Sequence, residues 1–166
     1  MSLSPAIEHY LNTQHVPFEL LEHSRSSTSL QSAHLAHVTP AQLAKAVVVR
    51  RRDQLLMCVL PASHQLMLEW LNNDYGGHYQ LVSEQELAEL FPDCDTGAIP
   101  PLGQAYGMKV VWDNSLRHTE HVYLEAGDHR HLVHLHKDDF MYLMATQDRA
   151  TISCAADTVE YYRHVH

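Results

Sequence analysis

The sequence predicts an α+β domain in which a mixed β-sheet carries short flanking helices. About six segments with strand composition are interleaved with short helical segments, but the two kinds do not alternate regularly as they do in a doubly wound fold. The chain of 166 residues is 45% hydrophobic and 19% charged, which is enough apolar material for one packed core. We therefore expect residues 1–166 to form a single domain.

The N-terminal half divides into elements with recognisable starts and stops. Ser4 followed by Pro5 predicts the beginning of a helix, because serine caps the first turn and proline suits its first position. The elements that follow are expected to be a strand over 16–23, a helix over 26–36, a short helix over 41–45, strands over 46–51 and 54–61, and a helix over 63–73. Arg52 and Asp53 fit a tight hairpin turn between the two central strands.

The C-terminal half begins after Gly76 and Gly77. Ser83 and Glu86 form a capping box, which predicts a helix that runs to about Phe91 and stops before Pro92. The other elements are expected to be a strand over 79–82, an irregular loop over 93–107, strands over 108–113, 121–127 and 131–136, a helix over 137–144 and a strand over 149–154. The tail, 157–166, fits a last helix or a dimer contact, and the oligomeric state stays open.

Charge and composition exclude several classes of function. The formal net charge is -9, which argues against a broad nucleic-acid surface and against duplex DNA as a partner, so any such contact must be local. The densest basic group, Arg50 to Arg52, is typical of a solvated hairpin turn. The first residues lack a targeting pattern, and no run approaches the roughly 20 apolar residues that span a bilayer. We expect a soluble, cytoplasmic protein without a membrane partner.

The histidines invite a metal site, but their spacing argues against one. Four of the 15 histidines lie in residues 129–136. In a continuous strand His129 and His131 would share one face and His134 and His136 the other, so they could not converge on one ion. No nucleotide-binding glycine motif occurs. The three cysteines, at 58, 94 and 154, lack a CxxC pair and fit reduced thiols. We expect neither a metal nor a cofactor.

An unusual loop runs from Gly97 to Gly103, with the sequence GAIPPLG. Its two prolines fix their own φ angles and lack N–H groups, and its two glycines permit angles that other residues avoid. The remaining amides therefore point in defined directions and suit a carbonyl or carboxylate oxygen. By itself this composition is also typical of a plain connection, as Lys45 by itself is typical of a surface lysine.

Taken together and in order, these segments resemble the YbaK/prolyl-tRNA-synthetase editing-domain family. The resemblance covers roughly residues 15 to 145. The segments that carry it are HSRSSTSLQSA, LAKAVVV, MCVLPASHQL, LVSEQELAELFPDCDTGAIPPLG, the strand that ends at Asp113, and VYLEAG. Members of this family are mixed α/β domains that hydrolyse the ester between a wrong amino acid and tRNA, and this chain is similar to those that act in trans.

The resemblance implies roles for particular residues. Lys45 would lie near the 3′-terminal nucleotide of the tRNA CCA end, where its charge suits phosphate. The loop amides would hold the aminoacyl ester, with water attacking the ester assisted by the substrate's own groups. The implied catalytic residues are Lys45, Gly97, Ala98, Ile99 and Pro100, and the implied substrate-binding residues are Ser27, Thr28, Pro101, Gly103, Gly127, His129 and His131. Ser29 is expected to line the same pocket, and capping of a helix is an alternative role for Ser27, Thr28 and Ser29.

Three departures from the family pattern shape the expected function. Ala46 stands where many members have threonine, Leu21 where the cysteine-specific branch often has tyrosine, and GDHRH where that branch has Gly-Lys-Arg-Gly. We therefore expect a deacylase for alanyl, seryl or threonyl esters rather than cysteinyl ones. Ala46 leaves open a noncatalytic module of the same fold that binds a tRNA end or a protein. Replacing His129 and His131 together is expected to change amino-acid preference more than metal content.

Overall fold

The computed structural model describes residues 3–165, with side chains described as far as Tyr162. Within these residues there are ten strands and six α-helices. The first half comprises α1 (Pro5–Thr13), β1 (Glu19–Glu22), α2 (Ser29–Leu35), β2 (Leu43–Arg51), β3 (Gln54–Pro61), β4 (His64–Leu66) and α3 (Leu68–Tyr75). The second half comprises β5 (Gln80–Leu81), α4 (Glu84–Leu90), β6 (Lys109–Asp113), β7 (His121–Glu125), β8 (His131–His136), α5 (Lys137–Met144), β9 (Asp148–Ala150), β10 (Ser153–Ala155) and α6 (Val159–Val165).

The strands form one mixed sheet and one small antiparallel ladder. In the large sheet the order is β1-β8-β7-β2-β3-β6-β9, and β5 adds to β2. The pairs β2–β7, β3–β6 and β6–β9 are parallel, and the other pairs are antiparallel. The small ladder joins β4 to β10. This is the mixed α+β architecture that the irregular order of strands and helices predicts, so the fold class is confirmed.

Several predicted elements are wrong in type or extent. The short helix expected over 41–45 is a 3₁₀ turn (Pro40–Gln42) that leads directly into β2, so Lys45 lies inside the strand and not before it. Residues 64–66, expected to be helical, form β4 because they pair with β10. The single strand expected over 149–154 is divided into β9 and β10, which pair with different partners. His129 precedes β8 and has a left-handed φ of 60°.

Both faces of the large sheet are packed. One face carries α1, α4 and α5 over a core that includes Ile7, Phe91, Trp112 and Phe140. The opposite face is covered in one part by α2, which packs over Leu43 and Leu132. In another part it is covered by α3 and by Ile152, which pack over Val49, Leu60 and Val111. Because the sheet is buried on both faces, β2 and β3 are nearly continuous apolar runs.

Strand β2 has a break in its pairing on one side. Along β3 it pairs over its whole length, from Ala44 to Arg51. On its other side it pairs with β7 only at Leu43 and Ala44, and with β5 only at Val49 and Arg50. None of the described strands therefore pairs with residues 45–47 on that side. The sheet has an opening here, and the candidate site lies in it.

Candidate functional site

A cavity of about 330 Å³ occupies the opening beside β2. It is bounded by the beginning of α2, by β2, by α4 and by the loop after residue 95. The lining residues are Ser27, Thr28, Ser29, Leu30, Lys45, Ala46, Glu84, Leu87, Thr96, Gly97 and Ile99. These segments are far apart in the chain and are brought together by the sheet. Two larger cavities, of about 450 and 540 Å³, lie around Arg51 at the far end of the same strand.

Lys45 supplies the positive charge of this cavity. Its side chain is half-buried, and burial lowers the pKa of its ammonium group. No carboxylate lies within ion-pair distance of Lys45 among residues 3–165. A buried, unpaired ammonium group costs free energy in the empty protein, and an anionic group of a ligand would recover it.

Gly97 lets the loop approach the cavity wall. Its φ is +87°, which an L side chain rarely adopts, and a Cβ there would lie 3.2 Å from Cε1 of His129 and 3.3 Å from the carbonyl oxygen of Ser27. Both the backbone angle and the close contact require glycine. The beginning of the GAIPPLG loop is therefore fixed against α2 from one side and against His129 from the other.

The amide groups of this loop differ in what they can still bind. Ala98 N donates to the carbonyl oxygen of Asp95 at 3.1 Å, and Pro100 and Pro101 have no N–H. The amides of Gly97 and Ile99 donate to no acceptor within the part of the chain that the structure describes. The amides of Leu102 and Gly103 also lack acceptors among the described residues, but only Gly97 and Ile99 line the cavity, so their N–H groups are the candidate donors for a bound oxygen.

Ser27 and Thr28 cap helix α2. Thr28 Oγ1 accepts a hydrogen bond from Gln31 N at 3.1 Å, and Gln31 Oε1 accepts from both Ser27 N and Ser27 Oγ, at 2.7 and 3.1 Å. The capping alternative is thus confirmed. Both residues also line the cavity, and the Thr28 hydroxyl hydrogen stays available to a ligand.

His129 supports the loop from behind the cavity. It is 5% exposed, and its Nε2 donates to the carbonyl oxygen of Thr96 at 2.8 Å. Its own carbonyl oxygen accepts from Ser26 N at 3.0 Å, which joins the segment before α2 to the same turn. His131 instead turns towards Asp128, with Nδ1 2.7 Å from Oδ2. The turn from Gly127 to His131 is a support for two cavity segments and does not line the cavity itself.

Glu125, the last residue of β7, is a buried carboxyl group beside this turn. It is 1% exposed, and neither side-chain oxygen has a hydrogen-bond partner within residues 3–165. Burial raises the pKa of Glu125 to about 7; nearby hydroxyls of Ser32 and Ser29 oppose this, and the charge of Asp128 adds to it. Ser29 lines the cavity, so Glu125 lies one side chain away from it.

The structure brings together six of the site residues that the sequence singles out, namely Lys45, Gly97, Ile99, Ser27, Thr28 and Ser29. Ala98, Pro100, Pro101, Gly103, Gly127 and His129 are buried behind the wall, and His131 is half-buried in its turn. Gly103 packs against β3 and β6, because a Cβ there would lie 3.0 Å from Val110 Cγ2.

Sequence reasoning missed Leu30, Glu84, Leu87 and Thr96 as lining residues. The capping box at Ser83 locates α4 along the chain, but it carries no information about which cavity that helix borders.

The other kinds of site suggested by the histidines and cysteines are a metal site and a reactive thiol. Within residues 3–165 no three histidine, cysteine or acidic side chains are grouped as a metal would require. Cys58 is buried, as expected, and burial raises its pKa to about 12. Over the same residues no helix is both long and apolar enough to cross a bilayer.

Comparison of folds identifies the class of domain. A hypothetical protein, APE2540, superposes with a TM-score of 0.79 at 19% identity, covering 90% of this chain and 99% of that one. A candidate trans-editing enzyme for prolyl tRNA synthetase superposes with a TM-score of 0.77 at 20% identity, covering 93% and 100%. A chain described as a signal transduction protein from Marinobacter aquaeolei VT8 gives 0.72 at 18% identity, over 89% of this chain and 30% of that one. At these identities the likeness shows the fold alone, which is a mixed α+β domain.

A match to a family profile identifies the family of the domain. The profile of the aminoacyl-tRNA editing domain matches residues 23–143, which include every lining residue of the cavity. The chain belongs to the aminoacyl-tRNA editing domain family, as its resemblance implied. Comparison with curated proteins gives no match. Family membership supports deacylation of aminoacyl-tRNA in general.

Proposed function

We propose that this protein hydrolyses, in trans, the ester of a tRNA mischarged with a small amino acid. The observation that carries the proposal is the combination of an unpaired ammonium group, on Lys45, with two free amides, at Gly97 and Ile99, around one small cavity. An esterified tRNA end presents an anionic phosphate and a polar carbonyl group, and these are the groups that such donors bind.

In the proposed reaction Lys45 holds the terminal phosphate, and the ester carbonyl oxygen lies towards the amides of Gly97 and Ile99. Water adds to the carbonyl carbon, and the amides stabilise the negative oxygen of the tetrahedral intermediate. The bond to the ribose oxygen then breaks, and that oxygen takes a proton. The products are the free amino acid and tRNA with a free terminal hydroxyl group. One such amide lowers the activation free energy by on the order of 3 kcal/mol, which corresponds to about a hundredfold in rate.

The lining favours a small side chain on the amino acid. Ala46, Leu87 and Ile99 supply apolar surface, while the hydroxyls of Ser29 and Thr96 supply polar groups. A cavity of about 330 Å³ that must also admit part of the terminal nucleotide leaves room for little more than a few heavy atoms. Alanine, serine and threonine are therefore the proposed substrates. Cysteine is of similar size and ranks behind them only because Leu21 and the GDHRH segment depart from the cysteine-specific branch.

The direct test is a panel of purified tRNAs carrying alanine, serine, threonine or cysteine, with release of amino acid measured over time. At least one of the first three should be deacylated faster than the cysteinyl ester. A protein that releases none of the four would contradict the proposal.

Ala46 favours a second candidate function. It lies in the cavity wall where many family members carry threonine, so a hydroxyl group is absent from the wall at this position. A noncatalytic module would bind a nonhydrolysable aminoacyl-tRNA analogue without turning over the ester. The variant Ala46→Thr separates the two functions, since gain of hydrolysis only in this variant would identify the natural chain as the binding module.

A further inference from the structure

The arginine group at the β2–β3 hairpin is the densest positive region of an acidic chain. Arg50, Arg51 and Arg52 are three of its 11 basic residues, against 20 acidic ones. They lie at the far end of the strand that carries Lys45, six residues from it. At about 3.3 Å per residue this separation is roughly 20 Å.

The three arginines are not equivalent. Arg50 is paired with Glu86 of α4, so its charge is compensated. Arg51 is held in place: Nη1 donates to the carbonyl oxygen of Tyr75 at 3.2 Å, Nη2 donates to Gln54 Oε1 at 3.1 Å, and the guanidinium group lies 4.9 Å from the centre of the Tyr79 ring. These bonds use two of its five N–H groups, so the others stay available to a ligand.

Arg52 occupies a strained position and has no ion pair among the described residues. It is exposed at the turn with a left-handed φ of 59°. A glycine would adopt this angle without strain, whereas a side chain with a Cβ does so at a cost in stability. The turn thus presents a long cationic side chain to solvent, without an ion pair among the described residues.

A cavity of about 450 Å³ lies between the arginines and the Gly76–Gly77 turn. Arg51 packs so closely on this turn that a Cβ on Gly77 would overlap its guanidinium group. His78 and Asp53 complete the charged lining. The depression therefore presents two arginines against one carboxylate, which suits an anion.

We propose that this hairpin surface, formed by Arg51 and Arg52 over the Gly76–Gly77 turn, binds backbone phosphates of the acceptor duplex of a tRNA whose 3′ end occupies the cavity at Lys45. The inference rests on the proposed function. The cavity at Lys45 admits only the esterified end, so the duplex lies outside it, a few nucleotides away. Fixed arginines bind phosphate through paired N–H groups and read no sequence.

The test compares two substrates and four proteins. The substrates are a mischarged full-length tRNA and a short single-stranded RNA with the same esterified 3′ end. The proteins are the natural chain, Arg52→Gly, Arg51→Gln, and the control Arg117→Gln/Lys137→Gln, which removes two charges near the other end of the sheet.

For Arg52→Gly and Arg51→Gln we expect KM for the full-length tRNA to rise about three- to tenfold with kcat unchanged, and the slope of log affinity against log salt to fall by about 1 each. The short RNA and the control should show no change. Arg52→Gly should at the same time raise the melting temperature by a few degrees, because it relieves the strained turn.

Equal KM values for natural protein and variants on full-length tRNA would overturn the inference. If the natural chain hydrolyses no ester, the proposed function fails by itself, and the dissociation constant for uncharged tRNA still tests the surface with the same variants. A melting temperature that rises with inorganic phosphate in the natural chain only, with tRNA binding unchanged, would identify a free-anion site and also overturn the inference.

Discussion

Two regions of the molecule are rich in polar groups, and they differ in how many of those groups have hydrogen-bond or ion-pair partners. Around the cavity at Lys45 the polar groups are left without partners: the ammonium group lacks a carboxylate, and the amides of Gly97 and Ile99 lack acceptors among residues 3–165. In the histidine-rich segment, 129–136, the rings of His129 and His131 each bond another protein group, although Nδ1 of His129 is buried without a partner among the described residues. His129 bonds Thr96 and His131 bonds Asp128. Unused bonding capacity, more than residue type, distinguishes the candidate site.

The strongest test of this contrast is Lys45→Ala. Removing the unpaired charge should lower kcat/KM for a mischarged tRNA about a hundredfold, equivalent to roughly 3 kcal/mol, while leaving stability unchanged or slightly raised. Initial rates and urea unfolding measure the two quantities. Lys137→Ala removes a charge from the beginning of α5 and should lower neither, so an equal loss in both variants would contradict the assignment.

Glu125→Gln tests the buried carboxyl group near the histidines. Because its pKa is raised from 4.5 to about 7, the folded protein keeps a proton that the unfolded chain has released. The stability that the protonated Glu125 contributes to the natural chain is therefore fully present below about pH 4.5, and it is lost as the pH rises through 7. The variant should match the natural chain near pH 5 and exceed it by at most roughly 3 kcal/mol near pH 9.

Urea unfolding at these two pH values measures the effect, and Glu120→Gln, which removes an exposed carboxyl group from the opposite end of the same strand, is the control. A constant difference across the range would mean that Glu125 does not titrate as described.

Gly97→Ala separates loop geometry from backbone strain. The added Cβ lies at a left-handed φ and close to His129 Cε1, so the free amides should shift and the rate of deacylation should fall about tenfold. Gly107→Ala imposes a similar strain, at φ +71°, in open space. Both variants should lose about 1 kcal/mol of stability, and only Gly97→Ala should lose activity; parallel losses would remove the loop from the mechanism.

His129→Asn and His131→Ala divide the joint role that the sequence assigned to these histidines. Asparagine tolerates the left-handed angle at position 129 but cannot reach Thr96, so the loop should loosen and amino-acid preference should change a few-fold. His131→Ala should leave preference unchanged. The panel of mischarged tRNAs measures both, and a larger change at His131 would reverse the ranking.

The smallest effect on deacylation is expected from His136→Ala. His136 is exposed at the end of β8, and its Nδ1 caps α5 by accepting from Asp138 N at 3.2 Å. Its loss should therefore lower stability by about 1 kcal/mol and leave the rate of deacylation unchanged. A measurable effect on deacylation would show that the histidine-rich segment does more than support the loop.

The sequence was a good guide where local rules decide structure. The Ser4–Pro5 and Ser83 caps, the hairpin at Arg52 and the apolar runs of β2 and β3 follow from short-range chemistry, and all are present. It failed at β4 and at the divided end of the chain, because β4 is a strand only through its pairing with β10, about 90 residues away. No local pattern records such a partner.

For the site, the sequence identified the loop and the lysine through their resemblance to a family, and not through their own composition. It could not show that Ala98 N is already bonded to Asp95, nor that His129 lies behind Gly97. These facts depend on a left-handed turn at His129, which a pattern of alternating strand residues does not contain. The bonds of Ala98 N and His129 determine which backbone N–H groups of the loop remain available to a ligand.

The opening beside β2 exists because β5 and β7 are both short on that side. Lengthening either by two or three residues of strand would complete the ladder and fill the site with ordinary sheet hydrogen bonds. The candidate site is thus a gap in the strand pairing, and the lengths of two flanking strands specify it as firmly as any side chain. We expect that adding residues to β5 or β7 would close the candidate site without any residue being removed.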